Sequence, residues 1–482
     1  MKKAVWRRHH KWFGLILGLF IIMFSLSGLV LNHPSVFSGV NVSRSVLPSD
    51  YLYDHWNRGL LRGTTEWQGQ LLAYGNSGIW QTDCTGSAFK DFNKGLPEGM
   101  DFRQIRGMAA LSSGTLFALG QYGLYRLTND GWHEASLPSG KNERLSDIAT
   151  RGDSLVVTGR SHVYLSLPPY RSFRKIMLPQ AEGDDGKVSL FRTVWLLHSG
   201  ELFGTAGVLV VDGIAVVLIF LTLTGFVYWL VPHGANGKVR RLVRRFSAWH
   251  DRVGRLTIIL TLLLCVTGWF LRPPALIAIA SGKIPPLPFT TMDDENPWHD
   301  KLRCLRYDEA EGDWLLYSSD GFYSVKNFHT NPKPVGIQPP VSVMGINVAE
   351  KDKDGQWLVG SFSGMYRWDR KSHTVTDYYT GRPAKPVTGK PVGTHAVAGY
   401  SPDFGKDGVV IDYNRGTDAF PMPQRMASLP MSLRNVCIEI HTGRIYTFMG
   451  EGSLFYIFLM GIAVFWCIWT GWKIRYGKAR GI

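Results

Sequence analysis

His198 and His441 stand in "LHSGELFG" and "IHTGRIYTFMG", each a histidine, a small hydroxyl residue and a glycine shortly before a long apolar run. His10 and His250 open "HKWFGLILGLFIIMFSLSGLVLNHP" and "HDRVGRLTIILTLLLCVTGWFLRPP", where glycines follow at the same two spacings, 4 and then 14 (His10, Gly14, Gly28; His250, Gly254, Gly268). Imidazole near neutral pH carries protons or ligates metals. Two imidazoles facing each other across a helix bundle can take the two axial positions of a six-coordinate haem iron. A plainer use is open to each of them, as an interfacial anchor or a hydrogen bonder at a helix start, with Ser199 or Thr442 capping free N–H groups.

Positions of this kind need long helices to hold them, and the chain has four apolar runs: Trp12 to Leu31, Ala206 to Leu230, Leu256 to Leu271 and Leu454 to Trp472. At about 1.5 Å per residue, some 20 residues cross the roughly 30 Å of bilayer hydrocarbon. Four transmembrane helices in a lipid bilayer are expected. The third run is the shortest, but Trp249 and Trp269 flank it at interface depth and a basic segment precedes it. The first follows "MKKAVWRRHHK", as a signal peptide would; its length and the lack of a clear A-x-A site favour a retained anchor.

The chain has 482 residues, 45% of them hydrophobic and 13% aromatic, enough for several domains with cores of their own. Its net charge of +15 is segregated. Lys2, Lys3, Arg7, Arg8 and Lys11 precede the first run; Lys238, Arg240, Arg241, Arg244, Arg245 and Arg252 lie between the second and third; Lys473, Arg475, Lys478 and Arg480 follow the fourth. Only Asp251 opposes them there, so nearly all the net charge sits in three short segments beside membrane helices. This is a positive-inside pattern and requires no nucleic acid as partner. It places both termini and the 232–252 loop in the cytoplasm of a bacterium, and two large stretches in the periplasm. The expected order is 1–33 as anchor and first helix, 34–197 as a β lobe, 198–231 as second helix, and 232–252 as a basic loop. Then come 253–272 as third helix, 273–440 as a second β lobe, and 441–482 as fourth helix and tail.

An internal repeat ties these pieces together. The returning helices begin after His198 or His441 and end in Thr224-Gly225-Phe226 or Thr470-Gly471-Trp472. His10 precedes His198 by 188 residues, and His250 precedes His441 by 191. Two copies of one unit (helix in, lobe, histidine motif, helix back) are expected, with His10 facing His250 on one side of the membrane and His198 facing His441 on the other. The lobes carry smaller repeats: "TLFALGQYGLYRL" at 115–127, "SLVVTGRSHVYLS" at 154–166, "DWLLYSSDGFYSV" at 313–325, "QWLVGSFSGMYRW" at 356–368, "LLAYGNSGIWQ" at 71–81 and a weaker "GVVIDYNRGTDAF" at 408–420. Each reads as two short strands around a glycine-bearing turn, recurring at a spacing that suits propeller blades. The fold class expected is a membrane α + β protein: a four-helix bundle from an internal two-fold repeat, with all-β, propeller-like lobes that close one six-bladed disc or form separate sandwiches.

The histidine, glycine and [ST]-Gly pattern resembles the PepSY-associated transmembrane family, whose members include inner-membrane ferric-siderophore reductases with b-type haem. The resemblance covers the four helices and their flanks. It implies haem b, one or two groups, with His10, His198, His250 and His441 as axial ligands. The lobes depart from the pattern, since propeller-like repeats stand where a PepSY domain would be.

Further residues add to this picture. His33 could be an extra ligand or a neighbour of the outer haem, ranking below the four, and His9 could replace His10. Asp212 falls inside the second apolar run, where a carboxylate is costly and marks a proton or quinol site, or bonds a neighbouring helix. Cys84, Cys304 and Cys437 allow one disulfide, while Cys265 and Cys467 read as packing within the helices. Met422, Met426 and Met431 read as fillers of apolar surface. No CxxCH for covalent haem and no G-x-G-x-x-G for a dinucleotide is present. The cytoplasmic pieces are too small for a nucleotide-binding unit, so electrons should come from membrane quinol or a separate cytoplasmic reductase. The expected activity is reduction of a periplasmic ferric siderophore or other ferric chelate, which a periplasmic siderophore-binding protein could deliver. Two rivals are a haem-free, membrane-anchored propeller for binding or sensing, and a transporter of iron or haem.

Overall fold

The computed structural model describes residues 3–139, 143–231, 237–386, 393–450 and 452–476. Lys2, Lys478 and Arg480 of the basic segments lie outside the described residues. The chain divides into a helical unit (1–37, 185–293 and 433–482) and a β unit (38–184 and 294–432).

Among the described residues, the helical unit has four helices long and apolar enough to cross a membrane: Lys3–Asn32, Gly204–Leu230, Gly237–Phe270 and Gly452–Tyr476. An α-helix satisfies its own backbone groups, which is the condition for an apolar segment to persist in lipid. The third helix starts nineteen residues earlier than its apolar run requires: much of the expected 232–252 loop is helical, because lysine and arginine are good helix formers and extend the apolar segment towards its amino end. The first helix packs on the second and fourth, and so does the third, leaving the first and third diagonally opposed. Small residues set the closeness: a Cβ on Gly18 would lie 2.3 Å from Phe226, and one on Gly461 2.6 Å from Trp269.

Two short helices, Leu190–Ser199 and Leu433–His441, join this unit rather than the lobes, narrowing the expected lobe boundaries of 34–197 and 273–440. Ser189 caps the first by accepting from the Arg192 N–H at 3.3 Å, and that helix packs on the third long helix. The second packs on the first long helix.

Besides a short pairing of Asn41–Val42 with Met431–Ser432, the described residues of the β unit form five four-stranded antiparallel sheets, within 63–91, 105–134, 145–176, 302–334 and 346–377, and a two-stranded sheet within 397–412. The five strong hairpin motifs form second and third strands, as their alternation predicts. The weaker sixth departs: Val409–Asp412 pairs back to Val397–Ser401, and the stretch after it forms only a bridge from Asp412 to Gly416. Each sheet's first strand packs on that of the next, and the first strand of the sixth sheet packs on that of the first. In five of the six sheets this first strand carries a register shift. Side chains from the shifted positions link neighbours: Arg106 donates to the Leu145 carbonyl at 3.1 Å and Asn347 to the Val397 carbonyl at 2.8 Å. Cores form between sheets around fully buried Phe117, Trp132, Phe322 and Trp368. The structure is a mixed α + β arrangement with four candidate membrane spans.

Asp308, on the first strand of the fourth sheet, joins two sheets by accepting from Lys351 at 2.6 Å, Trp357 at 2.9 Å and Arg370 at 2.7 Å. Burial by itself would raise its carboxyl; the hydrogen bonds from Lys351, Trp357 and Arg370 and the lysine charge outweigh this and hold it down at about 2. The five cysteines are all free, Cys84 on the surface, Cys304 in a strand and Cys437 in a short helix, so the one disulfide that these three allow does not form. Met426 is fully buried in the core between the first and last sheets and Met422 packs beside it, while Met431 pairs in a short strand with Val42.

Candidate functional site

The four histidines meet in two pairs. His10, in the first turns of the first long helix, lies 6.0 Å ring to ring from His250 of the third, with the rings at 73°. His198 and His441, at the ends of the two short helices, lie 6.0 Å apart at 54°. The helices that carry them place the pairs at separate levels. His10 and the contact point of His441 at Ser27 are 17 residues apart on the first helix, as are His250 and the contact point of His198 at Thr267 on the third, which at about 1.5 Å per residue is roughly 25 Å.

Each ring rests on an [ST]-Gly step of a helix distant in sequence. The Nδ1 of His441 lies 3.0 Å from Ser27 Oγ and 3.1 Å from the Phe24 carbonyl. That of His198 lies 3.1 Å from Thr267 Oγ1 and 3.2 Å from the Leu264 carbonyl. That of His250 lies 3.0 Å from Thr224 Oγ1. That of His10 lies 2.9 Å from the Cys467 carbonyl, which also accepts from Thr470 Oγ1 at 2.8 Å. All four hydroxyls turn back onto the carbonyl three residues earlier, the ordinary way a helical serine or threonine satisfies itself in an apolar setting. With the carbonyl as acceptor, Nδ1 carries the proton and Nε2 keeps a lone pair.

The glycine of each step clears the ring. A Cβ on Gly268 would lie 2.7 Å from Cε1 of His198, and one on Gly471 3.0 Å from Cε1 of His10. The other two fits are looser, at 3.5 Å between Gly28 and His441 and 3.8 Å between Gly225 and His250. Among the described residues none of the four Nε2 atoms has a hydrogen bond.

Two metal–imidazole bonds of about 2 Å each, with roughly 1 Å from nitrogen to ring centre on either side, put the ring centres about 6 Å apart, the observed spacing. Among the described residues no group of three or more His, Cys, Asp or Glu is placed to hold a metal ion, so an iron at either pair would need its remaining ligands from a macrocycle. The Nδ1 bonds are the outer support that fixes ring orientation in ligating histidines.

The remaining candidates lie outside the pairs. His9 stacks on Phe13 and accepts from the Trp466 indole at 3.4 Å. His33 Nε2 is 2.7 Å from Asp212, and Asn32 donates to the other oxygen of that carboxylate at 2.9 Å. The Nδ1 partners escaped the sequence reasoning, although the [ST]-Gly steps that hold them were in plain view. Gly200 and Gly443, both in the left-handed region at φ +84° and +72°, end the helices that carry His198 and His441, so "HSG" and "HTG" are stops rather than starts. Ser199 acts in that turn, donating to the Leu196 carbonyl and accepting from the Glu201 N–H, both at 3.3 Å.

No curated protein matches the chain. Similar solved structures include crystal structures of the extracellular domains of a putative hybrid two-component system and a putative one-component system from B. thetaiotaomicron, at 10% and 8% identity. Both have a TM-score of 0.32 and cover 72% of this chain, which itself spans 36% of theirs, about a third of their length. The sequence profile of the PepSY-associated TM region matches residues 1–231 and again 133–478, two overlapping spans that take in all four long helices, and the chain is therefore a membrane protein belonging to the PepSY-associated TM family.

Proposed function

We propose that this protein is a haem b electron carrier of a bacterial inner membrane that reduces a ferric chelate, such as a ferric siderophore, on the periplasmic side. The observation that carries the proposal is the two histidine pairs, each with Nδ1 tethered, Nε2 free and ring centres 6.0 Å apart. His10 and His250 would hold an inner haem, His198 and His441 an outer one; when bound, these groups supply one-electron redox chemistry. The [ST]-Gly steps orient the rings, and the apolar helices around them exclude water. Ferrous iron binds hard oxygen donors more weakly than ferric iron, so one-electron reduction loosens the metal from its chelate.

The positive segments favour both termini inside and the β unit outside. On this proposal the six sheets form one propeller shared by the two halves of a duplicated chain, a surface on which a chelate or its carrier protein could dock. Electrons enter from membrane hydroquinone or from a separate cytoplasmic reductase.

The test is a visible spectrum of the detergent-extracted protein, oxidised and then reduced with dithionite. A Soret band that shifts on reduction, with two haems per chain by pyridine extraction, is expected. A protein purified without Soret absorbance after haem supplementation overturns the proposal and leaves a membrane-anchored binding module.

A further inference from the structure

One polar cluster of the helical unit has no counterpart in the other half of the chain. Asp212 lies eight residues into the second long helix, about 12 Å along its axis from Gly204. Its carboxylate accepts from His33 Nε2 at 2.7 Å and from Asn32 Nδ2 at 2.9 Å. Counting back from the Thr-Gly steps, the matching residue of the fourth helix is Phe458, and Pro273 stands where His33 would be repeated. A carboxylate at this depth is expensive and marks a working group by default.

The geometry of the cluster is that of a general base. Because His33 Nε2 faces a carboxylate, that nitrogen carries the proton and Nδ1 keeps a lone pair. Nδ1 has no hydrogen bond among the described residues, and the His33 side chain is 41% exposed against 14% for Asp212. Asp212 thus orients the imidazole and offsets its charge when it accepts a proton, as a buried carboxylate does behind a catalytic histidine. Leu209 and Val216, three residues before and four after Asp212 on the same helix face, are 62% and 56% exposed, so an apolar surface open to lipid flanks the cluster. Asn32 also donates to the Ser199 carbonyl at 3.3 Å, one residue from His198, placing the cluster beside the His198–His441 pair.

We propose that Asn32, His33 and Asp212 form the binding site and proton acceptor for the headgroup of a lipid-soluble hydroquinone. This names the electron donor of the proposed function and rests on it for the electron acceptor. The first hydroxyl proton passes to His33 Nδ1 and then to outer water, and the second follows by the same route. The two electrons would leave one at a time by way of the iron that His198 and His441 would hold, each going on to a ferric chelate outside before the next is taken up, so that one hydroquinone would reduce two ferric chelates and leave as the benzoquinone. A water-soluble donor would not reach this depth from an apolar face.

The experiment uses the full chain in phosphatidylcholine nanodiscs, with decyl-benzoquinone as binding probe and decyl-benzohydroquinone as reductant. Asp212→Asn and His33→Gln are expected to weaken probe binding at least tenfold and to slow hydroquinone-driven haem reduction at least tenfold, while dithionite still reduces both variants fully. Asp212→Glu, which keeps the charge, should recover most of the binding, and circular dichroism checks that each variant is folded. Probe binding that is equal in wild type, Asp212→Asn and His33→Gln overturns the site. The two proposals fail separately: His198→Ala with His441→Ala removes an acceptor but should leave probe binding intact, and a haem-free wild type that binds the probe through Asp212 sinks only the acceptor.

Discussion

Two polar networks of the β unit and the histidine pairs of the helical unit are satisfied to different degrees. In the β unit, Glu143 accepts from the backbone N–H groups of Ser161 and His162, from His162 Nδ1 at 3.0 Å and from the Tyr164 hydroxyl, while Asn296 meets His162 Nε2 at 3.4 Å. Asp308, Asp313, Lys351 and Arg370 likewise close a network across two sheets. Nothing in either network is left over, and both hold sheets together. In the helical unit four histidines are each satisfied at one nitrogen and open at the other, in pairs at one spacing. Lack of a partner is not in itself the difference, since the β unit also buries unmatched side-chain atoms such as Trp56 Nε1 and Trp368 Nε1; it is the pairing of open imidazole nitrogens at one spacing that sets the helical unit apart.

This contrast can be broken by substitutions that act on one unit and spare the other. The largest effect is expected from His198→Ala with His441→Ala, or His10→Ala with His250→Ala: each pair of changes should remove about half of the b-type absorbance, with the β unit unfolding as before. Arg370→Met should do the opposite. It leaves the buried Asp313 carboxylate without its cation, while Asp308 keeps Lys351, and should cost about 3–5 kcal/mol in denaturant titration, with an unchanged spectrum.

Glycine substitutions sharpen the comparison within the bundle. On the proposed function, Gly268→Ala and Gly471→Ala, which force contacts of 2.7 and 3.0 Å on the His198 and His10 rings, should displace haem from one level each, whereas Gly28→Ala and Gly225→Ala, with 3.5 and 3.8 Å available, should retain it. Next come the hydroxyls. Thr267→Val and Thr224→Val should weaken haem retention roughly 10–100-fold, measured by transfer to apomyoglobin. Thr470→Val should matter less, because its hydroxyl serves the Cys467 carbonyl and that carbonyl holds His10.

The smallest effect belongs to the β unit and depends on pH. Asp308 ionises at about 2 when folded, below the ordinary 3.8 of an aspartate, so its contribution is present above about pH 4 and is lost as pH falls towards 2. The difference corresponds to roughly 2 kcal/mol. Asp308→Asn should flatten that part of the stability profile and leave the haem spectrum unchanged.

The long helices were legible because a run of apolar residues has few other stable fates, and the five strong hairpins because alternation about a glycine turn is a local signal. The short helices Leu190–Ser199 and Leu433–His441 were not legible as parts of the helical unit. At ten and nine residues they are too short to stand alone, and their place is set by packing on the long helices. The sixth sheet was overread for a related reason, since "GVVIDYNRGTDAF" has one good strand and an Asp412-centred turn that binds Asn414 and Arg415 N–H groups rather than starting a second strand.

By itself the sequence determined the four spans, the repeated histidine spacing and the charged flanks, all of them properties of neighbouring residues. Only the tertiary structure decided which [ST]-Gly step receives which imidazole: His10 reaches Cys467 across 457 positions and His441 reaches Ser27 across 414. It also brought His33 and Asn32 to Asp212. Those pairings follow from how closely helices approach at their glycines, and a linear sequence does not state that distance.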